Sequence, residues 1–229
     1  MPPSRLSRLP RWISHWLGYR PEVPKPLPQY QIAAWSFVTA FCGLLVIQGI
    51  FNYSEYFISR QVPGIIASFG ASAVLVFGAI ESPLAQPRAL IFGHFLSALI
   101  GVCITKLFSL MPDQARFESL RWLAASLSTA VAIVVMQLTG TTHPPAGATA
   151  LLPATNDEVW ELSWYYLPVV LLSSTLLLCC ALLMNNIHRR YPAFWIAPSP
   201  PPKPVQEPSP EPINPSCVES SSLQKEVSV

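Results

Sequence analysis

Between Ile32 and Ile187 the chain is a series of long apolar runs nearly free of charge, and this pattern restricts the architecture more than any other feature. A helix needs about 20 mainly apolar residues to cross the ~30 Å hydrocarbon core of a bilayer. Residues 32–51 meet that length without a single charge, and residues 62–80 are nearly as long and rich in Gly, Ala and Ser. Residues 89–110, 120–139 and 164–187 complete the set, with Lys106 and Arg121 near segment ends where long side chains can reach the interface. A compact soluble core has no use for so many such runs in series. The expected fold class is therefore all-α, a polytopic membrane helical bundle of four or five transmembrane helices.

Composition agrees with this. Asp, Glu, Lys and Arg make up 11% of the chain, against about 25% in soluble globular proteins, and they crowd into both ends. The net charge of +2 is too small and too divided to form a basic surface, so nucleic acid is not an expected partner. Four of the five cysteines, Cys42, Cys103, Cys179 and Cys180, lie in apolar runs, which suits buried hydrophobes rather than a disulfide framework or a metal knuckle.

Three regions follow. Residues 1–30 are basic and Pro-rich, and Trp12, Ile13, Trp16 and Leu17 share a face that predicts a short helix at a membrane surface. No apolar run precedes Ile32, so a cleaved signal peptide is not expected; a mitochondrial presequence, and with it the mitochondrial inner membrane, is the lesser expectation because Pro2, Pro3 and Pro10 interrupt the helix. Residues 31–190 form the transmembrane domain. Residues 191–229 are rich in Pro, Ser and Glu and are expected to be a disordered tail that can recruit a partner.

Cation placement bears on how often the chain crosses. If residues 62–80 dip in and return, four crossings remain, and Lys106, Arg116, Arg121, Arg189 and Arg190 join the N-terminal cations on one side, with Arg60 and Arg88 on the other. That arrangement is preferred; five crossings, with the two termini opposed, is the alternative. An internal echo points to duplication: Gly70, Ala71, Ser72, Ala73, Val74, Leu75 reads almost as Gly147, Ala148, Thr149, Ala150, Leu151, Leu152. Each copy lies between two long apolar segments, the weak two-fold repeat that transporter folds show.

The sharpest local feature runs from Thr141 and Thr142 through His143, Pro144, Pro145 and Gly147 to Thr149. Proline suits the first turn of a helix, and Thr or His before it can cap, so Pro144 and Pro145 should start a half-helix too short to span. If it dips into the protein, its free N–H groups, its positive dipole end and the His143 side chain form a site for an anion. Gly147 and Ala148 would let a ligand approach closely. The earlier unit offers Ser72 as the counterpart of Thr149, with Ser82, Gln86 and His94 as further polar groups, and the working picture is a two-fold arrangement of hydroxyls, imidazoles and helix starts around one pore. Close packing of small residues explains Gly70, Ala71, Ala73, Ala148 and Ala150 without any ligand, and His94 can equally be a neutral core imidazole. No Asp or Glu lies mid-segment, which disfavours proton-coupled cation exchange and suits a neutral or anionic solute.

These residues resemble the HPP transmembrane family, whose name is the tripeptide His143, Pro144, Pro145. The likeness covers roughly Gln31 to Arg190 and includes Phe69 to Phe77, Ser82 to Arg88 and Gly93 to Gly101. It implies a multi-pass membrane protein of four or five helices, with function unassigned in most members; some members from photosynthetic lineages are regarded as nitrite transporters of plastid membranes. It places weight on His143, Pro144, Pro145, Gly147, Ser82, Gln86 and His94. Many bacterial relatives carry a soluble regulatory module after the membrane part; here a Pro-rich tail follows instead, so ligand-gated regulation does not carry over. The expected function is a transporter or channel for a small anion such as nitrite, not an enzyme, needing no cofactor, with the lipid bilayer and the anion as partners and homo-oligomer formation open. A non-transporting scaffold with a recruiting tail is the first alternative. A redox protein using His94 and His143 as haem or metal ligands is the second.

Overall fold

The computed structural model describes residues 8–20 and 27–196; the expectations for residues 1–7, 21–26 and 197–229 lie outside it. Four helices are long and apolar enough to span: α2 (Gln29–Tyr53), α5 (Pro87–Ser109), α6 (Gln114–Thr139) and α9 (Tyr166–His188), the last continuing from Asp157 through α8 (Asp157–Leu162) and a 3₁₀ turn. Their ends follow local rules. Asp113 caps α6 by accepting from the Ala115 N–H at 3.0 Å, and Gly140 stops it with φ +63°, a left-handed conformation open to glycine. Pro87 opens α5. Short helices α1 (Arg11–Trp16) and α3 (Glu55–Ile58) complete the first half of the chain.

Residues 62–80 are not a continuous spanning helix. Only α4 (Ser68–Ala73) and the π-helical turn after it (Val74–Gly78) are helical, too short to cross. Nor does this segment dip and return. A Cβ placed on Gly64 would collide with Asn52 near the end of α2, whereas the Phe77 carbonyl accepts from Ser36 near the start of α2 at 2.9 Å. Those two levels of α2 are sixteen residues apart, about 24 Å along a helix. The segment therefore traverses most of a bilayer, part irregular and part helical. The carbonyls that the π turn frees are taken by side chains from other elements: Asn185 Nδ2 donates to Val76 O at 2.9 Å, and Arg189 donates to Phe77 O at 2.6 Å.

The second unit repeats the device in the opposite sense. α7 (Pro144–Thr155) starts beside Gly93 of α5, passes Gly101 at Ala150, and ends where the Ala154 carbonyl accepts from Arg121 at 2.8 Å. It thus runs parallel to α5, while α4 runs parallel to α9. At an offset of 77 positions the two half-helices superpose in sequence, and α5 falls on α9. Contacts obey the same exchange: α7 packs on α5 and α6, and α4 with its π turn packs on α9 and α2. The internal repeat is an inverted pair of units, each made of helix, broken crossing and helix.

This corrects the expected sidedness of several loops. Because residues 62–80 carry the chain across, Arg88 lies with Arg189 and Arg190 at the end where α2 starts and α9 finishes. Lys106, Arg116 and Arg121 lie with Arg60 at the far end, where Lys106 sits 4.1 Å over the Trp160 ring and Arg121 pairs with Asp157 at 2.7 Å. The far end also holds Glu55, Asp113, Glu118, Asp157, Glu158 and Glu161, so the terminal end keeps the excess of cations.

The ordered body extends beyond Arg190. Tyr191 is fully buried, and residues up to Ile196 form a strap across the terminal end. α1 does not lie on its own at a surface. It is clasped to the end of α9: Asn186 Nδ2 donates to Trp16 O at 3.1 Å, Arg20 donates to Asn186 O at 2.8 Å, and Trp195 donates to Leu17 O at 3.1 Å. Trp12 is left 70% exposed, available to a membrane surface.

Candidate functional site

The half-helices α4 and α7 lie side by side and antiparallel, and each brings one hydroxyl to the other. Thr149 of α7 donates to Ser68 of α4 at 2.8 Å, and Ser72 of α4 lies 2.9 Å from His143 Nε2, the residue that precedes α7. Swapping positions by the 77-residue offset carries the Ser68–Thr149 pair onto Pro145–Ser72, and Ser72 lies against His143, two residues before Pro145. His94 enters from α5, with Nε2 2.7 Å from Ser72 Oγ and Nδ1 2.7 Å from Thr149 Oγ1. The two imidazoles stand edge to face, centroids 4.9 Å apart, and Phe69 stacks on His94 at 4.5 Å. His94, His143, Ser72 and Thr149 are all 0% exposed. A chain of five polar side chains is thus enclosed in apolar packing, with every ring nitrogen engaged.

Gly93 makes this possible on the α5 side, since a Cβ there would come within 2.9 Å of both His143 Cβ and the Thr141 carbonyl. The outer nitrogen of His143, Nδ1, lies 2.8 Å from the carbonyl of Leu84 in the turn between the π turn and α5. That turn is held from the terminal end. Tyr191 donates its hydroxyl to Ala85 O at 2.7 Å, and burial pushes its phenol above the usual range, which keeps the hydroxyl a donor. Gln86 is buried, donates to Ile80 O and Ser82 O at 2.9 and 2.8 Å, and accepts from the Ala193 N–H of the strap at 2.8 Å.

Of the residues singled out in the sequence, the structure gathers His143, His94, Ser72 and Thr149. The others have different positions. Thr142 and Pro144 are exposed, Thr141 pairs with Thr139 at 2.7 Å, and Ser82 caps the 3₁₀ turn (Pro83–Ala85) by accepting from the Leu84 N–H at 3.2 Å. Gln86 anchors the turn to the strap. Pro145 is buried at the helix start, and Gly147 faces Thr129 of α6, away from the cluster. His143 does not cap its helix through its side chain.

The expected anion site on free helix N–H groups is also corrected. Pro144 and Pro145 have no N–H, and the Ala146 N–H is already bonded to His143 O at 2.9 Å. At the start of α4 the Phe69 and Gly70 N–H groups bond to Ile66 O and Ala67 O at 2.9 and 3.1 Å. The donor on offer at this meeting point is an imidazole, not a row of amides. Ser68, the Leu84 carbonyl and Tyr166, whose hydroxyl donates to Thr149 O at 3.2 Å, are parts of the site that the sequence reading did not reach. Ser68 had one signal: it lies a helical turn before Ser72 on the same face.

Four spanning helices with two inverted half-helices meeting at a buried polar cluster define a multi-pass integral membrane protein. The chain belongs to the HPP transmembrane family, whose transmembrane-region model matches residues 25–192. It is 38% identical over 188 residues to a Dictyostelium discoideum protein described as a transmembrane protein, covering 81% of this chain and 63% of that one. A second Dictyostelium discoideum transmembrane protein is 40% identical over 164 residues, covering 70% of this chain and 50% of its own length. The chain thus spans between half and two thirds of the length of these relatives. No solved structure matches it.

Proposed function

We propose that the protein moves a small anion of the nitrite type across its membrane, and that His143 is the group that recognises it. The observation that carries this reading is the place of His143: buried where two half-helices of opposite direction meet, with Nδ1 directed at a single backbone carbonyl, Leu84 O, 2.8 Å away. Broken helices meeting at the pseudo-axis of inverted repeats are where transporters bind their solutes. A carbonyl oxygen and an anion oxygen ask the same of an imidazole N–H, so a substrate can take the place of Leu84 when the turn of residues 79–86 moves aside. Full burial of the cluster makes this conformation a closed one, and the protein works by alternating exposure rather than as an open pore.

The test is flux of nitrite into liposomes holding the purified full chain. Wild type transports above empty vesicles, and His143→Ala abolishes flux while eluting as a folded protein from size exclusion. A folded wild type that moves none of a panel of small anions overturns the proposal. The enclosure of the cluster in apolar packing supports a second reading, a non-transporting scaffold held together by a polar core. On that reading His143→Ala lowers the melting temperature and no anion moves in either protein.

A further inference from the structure

Ser72 stands between two imidazoles, and one hydroxyl proton cannot serve both. Its Oγ lies 2.7 Å from His94 Nε2 and 2.9 Å from His143 Nε2. The outer nitrogens decide what the inner ones carry. A backbone carbonyl only accepts, so His143 Nδ1 holds a hydrogen against Leu84 O, and the neutral ring turns a bare Nε2 to Ser72. Thr149 spends its own proton on Ser68, so its Oγ1 accepts from His94 Nδ1, and neutral His94 also turns a bare Nε2 to Ser72. Three acceptors, the two Nε2 atoms and the Ser68 carbonyl at 3.1 Å, face a single proton. One added proton on His143 Nε2 connects the chain: His143 donates to Ser72, Ser72 to His94 with the Ser68 carbonyl as a second, longer acceptor at 3.1 Å, His94 to Thr149 and Thr149 to Ser68.

We propose that this cluster carries one proton together with each anion, so that the solute is the conjugate base of a weak acid and crosses in company with H⁺. The inference rests on the anion-transport reading above. An imidazolium alone in this apolar setting is costly, and so is a lone anion; each is the other's counter-charge, which links their uptake. With an anion oxygen in the place of Leu84 O, the Nδ1–H bond breaks and an O–H bond forms. The ring is left neutral with its remaining hydrogen on Nε2, the four inner hydrogen bonds stay filled, and a neutral acid leaves. The titratable side chains at the cluster are His94 from α5, His143 before α7, and Tyr166 from α9, which bonds to the Thr149 carbonyl. α4 contributes Ser68 and Ser72, α7 contributes Thr149, and the turn before α5 contributes a carbonyl, its Glu81 being exposed. Among the described residues no Asp, Glu, Lys or Arg side chain hydrogen-bonds to any member, and the middle of α6 carries none.

The experiment loads liposomes containing the full chain with a pH dye, clamps the membrane potential with potassium and valinomycin, and applies an inward nitrite gradient. Empty vesicles give the baseline for nitrous acid passing through lipid. The proposal expects protein-dependent acidification matched one to one with nitrite entry, at a rate indifferent to the clamped potential. Ser72→Ala should drop both to baseline, and Ser72→Thr, which keeps the hydroxyl, should restore both. Nitrite entry that follows the potential without acidification overturns the proton coupling and leaves anion transport standing. No nitrite entry by folded wild type overturns both.

Discussion

Glycine marks the closest approaches in this bundle, and the burial around each one separates packing from function. A Cβ on Gly101 of α5 would strike the backbone carbonyl of Ala150 in α7, which cannot rotate away, whereas a Cβ on Gly49 of α2 meets nothing within 4 Å. Gly101→Ala should therefore cost about 1–3 kcal/mol by overpacking. Gly49→Ala should be neutral or stabilising by up to about 1 kcal/mol, since alanine favours the helix. Melting temperatures of the two variants in detergent check this; equal values would mean that α5 and α7 are not pressed together. At this scale the sequence was informative where a polar group stood out in an apolar run, as His94, His143, Ser72 and Thr149 do. It was misleading where a polar group satisfies local backbone, as Ser82 and Gln86 do, because a cap and a ligand group look alike in sequence.

The two half-helices were legible to different degrees for a physical reason. A proline pair can open a helix but not continue one, so Pro144 and Pro145 announced α7. Nothing similar precedes Ser68. Residues 62–67 are irregular yet still apolar, with Val62 and Ile66 buried against the bundle, and hydropathy reports the surroundings of a side chain rather than the state of its backbone. A run that read as one long segment is thus part irregular chain and part helix. The antiparallel meeting of the half-helices is testable without any transport assay. Ser68 and Thr149 place their hydroxyl oxygens 2.8 Å apart, near enough for Ser68→Cys with Thr149→Cys to close a disulfide under a membrane-permeant oxidant. The cross-link should appear as a mobility shift reversed by reductant after proteolysis between the units. A folded double variant that never cross-links would contradict the meeting.

For the molecule as a whole, the repeat was visible as one short echo, but its inverted sense was not, because sense depends on whether an intervening segment crosses. The number of spanning helices alone does not settle it: four long helices fit both a pair of returning loops and a pair of broken crossings. The contacts of residues 62–80 with both levels of α2 decide for the crossings, and the inverted symmetry brings the half-helix starts together. Transport, proton coupling and the closed state all depend on that path. The most direct measurement places single cysteines at exposed Arg60 and exposed Glu81, which flank the segment, in a chain whose native cysteines are replaced. Sealed vesicles of one orientation are then treated with a membrane-impermeant thiol reagent from either side. Arg60→Cys and Glu81→Cys should react from opposite faces; reaction of both from the same face would contradict the inverted architecture.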